Sequence, residues 1–208
     1  LKSFDIDYIS FIECIDKLDR LELVEIQYDY IKISEQNLST YFFYKAFIKD
    51  SLLSFDTLLL NYFDSNTNRF TDCVIPANNT FGYQNVMEKL QPILQSYWIS
   101  IKTNDESALK LLSIFWFYLQ DEALELVYNT IESLPENKTT EYEVKYNTND
   151  FVYKNTEIIQ LLGHFFVIQD KLKDALELSF EYVRKSPTHL PELIHKIREN
   201  LIFDWEDQ

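Results

Sequence analysis

Two small residues, Gly163 and Ala175, constrain this chain more than anything else in it, because each falls where a large side chain would hold two helices apart. Around Gly163, the large apolar residues Ile159, Leu162 and Phe166 recur at helical spacing, and Pro187 closes the segment. Gly and Ala let helix backbones approach closely, and the flanking apolar groups fill the groove between them. A helix-turn-helix over 159–187 follows. One position departs from the pattern: Ser179 stands where a large apolar residue is expected, with Phe180 and Tyr182 beside it. A single helical pair cannot bury its own apolar face, so neighbouring helices are required.

Glycine is otherwise scarce. Gly82 and Gly163 are the only two in 208 residues, too far apart to share one phosphate-cradling loop. These residues are therefore expected to hold neither a P-loop nor a dinucleotide fingerprint, and to take no cofactor and no metal. The net charge of −15 argues against nucleic acid, whose phosphates need Lys and Arg, and against an anionic membrane surface. Residues 104–208 carry 20 acidic and 10 basic groups, against 14 and 9 in residues 1–103, so the acidity concentrates in the second half. Cys14 and Cys73 lack metal-ligand neighbours and read as buried, reduced thiols of a cytoplasmic protein. The longest apolar run, 111–119, is far short of the roughly 20 residues that span a bilayer. The chain opens on Leu1 rather than Met, which reads as a fragment of something longer.

Periodicity divides the chain further. Ile6, Ile9, Ile12, Ile15 and Leu18 predict a first helix. The alternation over 21–33 around Tyr28-Asp29 predicts a β-hairpin, and Ser34 a helix cap ahead of Leu38, Tyr41, Phe42, Ala46 and Phe47. Helix, hairpin, helix is the order expected at the end of a winged-helix unit; its usual reading is DNA binding, but the acidity of the chain favours a structural joint. A short helix over 54–63, a polar loop over 64–69 and a break over 72–80 come next, the break resting on Pro76 and Asn78-Asn79. A helix over 81–101 is expected to kink or divide at Pro92. Thr103 with Glu106 has the capping-box spacing ahead of an almost wholly apolar helix over 108–119, and an amphipathic helix over 121–134 completes a hairpin. The polar stretch 136–150 reads as a linker or extended arm, and a last helix covers 190–202.

Chemistry has few footholds. His164, His189 and His195 show no metal-ligand spacing, and nothing local activates any of them. Carboxylate pairs such as Asp121-Glu122 and Glu141 with Glu143 are what chance supplies among 34 acidic residues, and read as a solvated face. No serine stands in GxSxG, and neither cysteine has a histidine signature. The aromatic runs 41–44, 115–118 and 165–166 read first as core; any exposed members would mark a protein interface.

The 159–187 pattern resembles a tetratricopeptide (TPR) repeat, with Ile159, Leu162, Gly163, Phe166, Ala175 and Pro187 at its repeat positions. Over a longer span, Leu23-Val24-Glu25-Ile26 and the run Ile31 to Tyr44 resemble the region that follows the NTPase module in novel STAND NTPases. Phe115-Trp116-Phe117, Ala175-Leu176-Glu177-Leu178, Leu190-Pro191-Glu192-Leu193 and Phe203-Asp204 resemble later parts of the same bacterial anti-phage family. The resemblance implies a switch protein with an effector, a central ATPase and a helical sensor. This chain would be the joint and the start of the sensor, with no catalytic residue of its own. ATP and Mg would belong to an NTPase domain outside these residues. The implied partners are that NTPase domain and a protein ligand such as a phage protein, with oligomerisation on activation. A free-standing TPR-like adaptor for protein–protein interaction is the competing reading, and an enzyme with an unfamiliar all-helical site is a third.

The expected fold is mainly α: a helical-hairpin (TPR-like) array with a small β-hairpin in an N-terminal winged-helix-like unit. Its divisions are 1–50 for the joint, 51–135 for a helical bundle, 136–153 for a linker or arm, and 154–208 for the repeat region.

Overall fold

Short polar side chains start several of the helices. Asp7 accepts from the Ser10 amide at 2.8 Å ahead of α1 (Tyr8–Arg20). Ser54 accepts from the Thr57 amide at 3.1 Å ahead of α3 (Phe55–Tyr62). Asn104 accepts from the Ser107 amide at 3.2 Å ahead of α6 (Asp105–Phe115). In each, an oxygen three residues upstream satisfies an amide with no partner inside the helix. The cap of α6 is thus Asn104, where the capping-box spacing had pointed to Thr103. The computed structural model describes residues 1–28, 30–137 and 156–201. Within them the chain is mainly helical with one small antiparallel hairpin near its start, the fold class expected from the sequence.

Two compact units form, 1–110 and 111–208. In the first, α1 leads into β1 (Val24–Gln27) and β2 (Tyr30–Ile33), paired in the register Val24 to Ile33 and Gln27 to Tyr30. Ser34 does not cap the next helix. Its hydroxyl donates to the Glu22 carbonyl at 3.2 Å across the base of the hairpin, and α2 (Gln36–Phe43) starts after Glu35. A π-helical turn (Tyr44–Lys49) continues α2, marked by the five-residue bond from the Asp50 amide to the Lys45 carbonyl.

The expected break over 72–80 is a helix: α4 spans Thr67–Phe81 with Pro76 inside it. The break comes at Gly82, whose φ of +86° is one that residues with a side chain rarely adopt and which separates α4 from α5 (Tyr83–Ile101). Nor does Pro92 divide α5, which continues through it. Proline costs a helix one donor, but Val74 and Ala77 on α4 and Leu90 and Leu94 on α5 are buried around these two. Edge-to-face ring contacts link the core of this unit, from Phe43, Phe47 and Phe55 through Phe70 and Phe63 to Tyr97.

In the second unit, the apolar helix expected over 108–119 is shorter. It ends at Phe115, and Trp116 to Tyr118 form the turn into α7 (Gln120–Ser133). A turn lets neighbouring aromatics diverge where one helix face could not take them all. Then come α8 (Glu157–Phe165), α9 (Leu172–Lys185), a 3-10 turn (Pro187–His189) and α10 (Leu190–Leu201). Ionic contacts pin α7 to α9 at both ends. Lys171 meets Asp121 at 2.5 Å near their starts; Arg184 meets Glu136 at 2.6 Å and Lys185 donates to the Ile131 carbonyl at 3.0 Å near their ends. The two helices therefore run in the same direction, with α8 packed on both. The expected linker or arm lies almost wholly in 138–155, outside the described residues.

Candidate functional site

The repeat positions lie inside the second unit. Ile159, Leu162, Phe166 and Ala175 are buried, as is Gly163, while Pro187 begins the 3-10 turn ahead of α10. A Cβ on Gly163 would stand 3.2 Å from Cδ of Lys196, so the small position accommodates the stem of an α10 side chain. Ser179, the departure from the pattern, is fully buried, and its hydroxyl donates to the Ala175 carbonyl at 2.6 Å. Folding the hydroxyl back onto its own helix satisfies it without a partner on another. Tyr182 turns inward and stacks on His189 at 5.4 Å, while Phe180 faces solvent.

The three histidines occupy separate surroundings. His164 lies flat on Trp116, with ring centroids 4.7 Å apart and planes 1° from parallel. His195 pairs with Glu199 at 3.1 Å. The Nδ1 atom of His189 is 2.9 Å from the Thr156 hydroxyl and 3.7 Å from Glu192. Among the described residues, no three His, Cys, Asp or Glu side chains converge on a point where a metal could be held.

Packing against neighbouring protein atoms desolvates the His164 imidazole in part, although the residue still meets solvent, and this, with the ammonium of Lys196 second, holds it below its ordinary value of 6.5. A depressed folded value means that the unfolded chain binds the proton more readily. This contribution to stability is present above about pH 6.5 and is lost as the pH falls from there through the folded value. His164→Asn should therefore flatten the change in urea midpoint between pH 7.5 and 5.5. Parallel profiles for the two proteins would show that His164 carries no part of it.

The first unit has the opposite character near its start. Of the Ile6, Ile9, Ile12, Ile15 and Leu18 series, only Ile15 is buried; Ile9 is 68% exposed, and Tyr8 beside it 66%. Leu21, Ile26, Tyr30 and Ile31, on and beside the hairpin, are exposed as well, and Cys14, expected to be buried, is open to solvent on α1. Spacing placed this stripe on one helix face, but periodicity reports a face without saying what covers it. Several carboxylates, Asp19, Glu22 and Glu25 among them, stand beside it.

Tyr28 is the extreme case. It opens the connection between the strands with φ of +54° and is wholly exposed. A left-handed backbone favours Gly or Asn, and a bulky ring there gains no packing in return. Tyr28→Gly should consequently stabilise the protein by roughly 0.5–1 kcal/mol in urea unfolding. A loss of stability would mean that the ring has a fold contact after all. An aromatic retained at a strained, solvent-facing tip is suited to meeting a partner.

Compared with protein-family models, curated proteins and solved structures, the chain matches none of them.

Proposed function

We propose that this chain is the non-catalytic regulatory and sensor segment of a STAND NTPase acting in anti-phage defence. In this reading α1, the hairpin and α2 form the joint that rests on the NTPase domain and holds it closed. The helices of the second unit offer the surface for a protein ligand, a phage protein among the candidates. ATP and Mg belong to the NTPase domain, and the segment performs no chemistry of its own. The ligand opens the switch only if it binds the open state more tightly, since equal affinity shifts nothing. Oligomerisation follows opening, in the cytoplasm.

The observation that supports this reading is the number of large apolar side chains left exposed on α1 and the hairpin, Tyr8, Ile9, Tyr30 and Ile31 among them. A helix and a two-stranded hairpin that bury so little of their apolar surface gain from a further domain packed against them. Its first test is the encoding reading frame, in which a phosphate-binding loop must precede residue 1. Without one the proposal fails. With one, Ile9→Asp combined with Tyr30→Asp in the intact protein should raise basal ATP turnover by loosening the closed state. Unchanged turnover would remove the joint from the mechanism.

The competing reading is a helical adaptor for a protein partner. Val167, Phe180 and Ile194 favour it, being exposed apolar residues within the second unit. It gives the exposed hairpin surface no purpose, so we place it second.

A further inference from the structure

A cavity of about 370 Å³ opens within the first unit between α2, the π-helical turn, α3 and α4. Phe43, Phe47, Leu58, Tyr62 and Phe70 make its walls. Its volume lies toward the small end of the range in which protein clefts hold small molecules, and its walls are of the apolar kind such clefts use. A larger hollow of about 510 Å³ beside the hairpin, lined by Asp19, Glu22 and Glu25 among others, lacks such walls. Desolvated apolar surface is what gives a small ligand its affinity, so the smaller cavity is the better candidate.

Its polar groups are few. Cys73 lines the cavity, and burial, then the neighbouring Asp72 carboxylate, pushes its thiol up, so that it presents a neutral sulfur. Asn66 and Arg69 complete the lining. Arg69 is the one cation among these eight residues, and its side chain is 81% exposed. Its ion pair with Asp72, at 3.9 Å with both side chains open to solvent, is weak and readily exchanged. A guanidinium at the solvent end of an apolar cavity is complementary to a planar anion carried by an apolar body. The π-helical turn that supplies Phe47 is a local irregularity of a kind that recurs at functional sites.

We propose that this cavity binds a small amphipathic carboxylate, its apolar body among the five walls and its carboxylate on the Arg69 guanidinium. The proposal goes beyond the regulatory reading and does not depend on it. Asp72 opposes such a ligand, because its charge competes for the same guanidinium.

The test titrates the full chain by calorimetry with octanoate and with 1-octanol, which share an apolar body and differ in charge. Octanoate should saturate at one molecule per chain and bind about tenfold more tightly than the alcohol, the value of one charge-assisted hydrogen bond. Arg69→Gln should bring octanoate down to the level of the alcohol, and Asp72→Asn should tighten it. Both substitutions are on exposed side chains, so folding is not at risk. Cys73→Leu, which adds volume inside the cavity, should weaken both ligands. Equal binding of acid and alcohol, or octanoate binding that ignores Arg69→Gln, would overturn the proposal. So would the absence of saturable binding by octanoate, which would leave the cavity to an apolar side chain of a protein partner.

Discussion

Phe55→Ala is expected to lower the stability of the protein by about 3–5 kcal/mol, the largest effect of any single substitution considered. Phe55 is 2% exposed, and its ring stands edge-on to three others: Phe43 at 6.2 Å, Phe47 at 6.4 Å and Phe70 at 6.2 Å. Truncation removes the buried ring, leaves a void that the neighbours fill only partly, and abolishes all three edge contacts. Each of those contacts adds about 0.5–1.5 kcal/mol beyond the burial of area. Phe55 also opens α3, next to the Ser54 cap, so the same residue anchors the start of a helix. Phe55→Leu keeps most of the volume and should cost less than half as much. Urea unfolding followed by circular dichroism measures both. A loss under about 1.5 kcal/mol for the alanine variant would mean that the rings close up without Phe55, and that the aromatic chain is not the organising core of this unit.

Much of this architecture was readable from residue order because it rests on local chemistry. The hairpin over 21–33, the helix begun at Ser54 and the last helix near Pro191 each follow from alternation, a side-chain cap or a proline-marked start. What misled was the weight given to local breakers. Pro76 and Pro92 do cost their helices a hydrogen bond, yet buried neighbours on both sides carry α4 and α5 through them. Ser34 and Thr103 have cap chemistry but not cap positions, since Ser34 is engaged by Glu22 across the hairpin and Asn104 is one residue better placed. The aromatic run at 115–118 looked helical because apolar residues without a polar interruption give no sign of a turn. The exposed surface at the start of the chain was the least legible feature. Ile9 and Ile15 have identical side chains and lie in one periodic series, and only tertiary packing makes one of them core and the other surface. The cavity near Arg69 was equally hidden, because its walls come from four separate elements.

Glu192 on α10 carries the second large effect, and it is buried in spite of its carboxylate. Its Oε1 accepts from the backbone amide of Thr156 at 2.6 Å and from the Gln160 side chain at 3.3 Å. Thr156 is the cap residue of α8, and no side-chain cap of its own serves the first turn, so a carboxylate from another helix takes up the amide at that end. The other oxygen, Oε2, is buried without a hydrogen-bond partner and lies 3.7 Å from Nδ1 of His189. Glu192→Ala strips the acceptor from a partly buried amide and opens a small void, and should cost about 2–4 kcal/mol. Glu192→Gln keeps an acceptor where Oε1 stands and relieves the desolvated charge, and should cost about 1 kcal/mol or less. Amide hydrogen exchange separates the causes: the alanine variant should lose protection first at Thr156 and along the start of α8. If glutamine costs as much as alanine, the negative charge at the helix start matters rather than the acceptor, and the effect should then shrink as salt is raised. If neither substitution costs more than about 0.5 kcal/mol, α8 is held by its apolar face alone, through Ile159, Leu162 and Phe165.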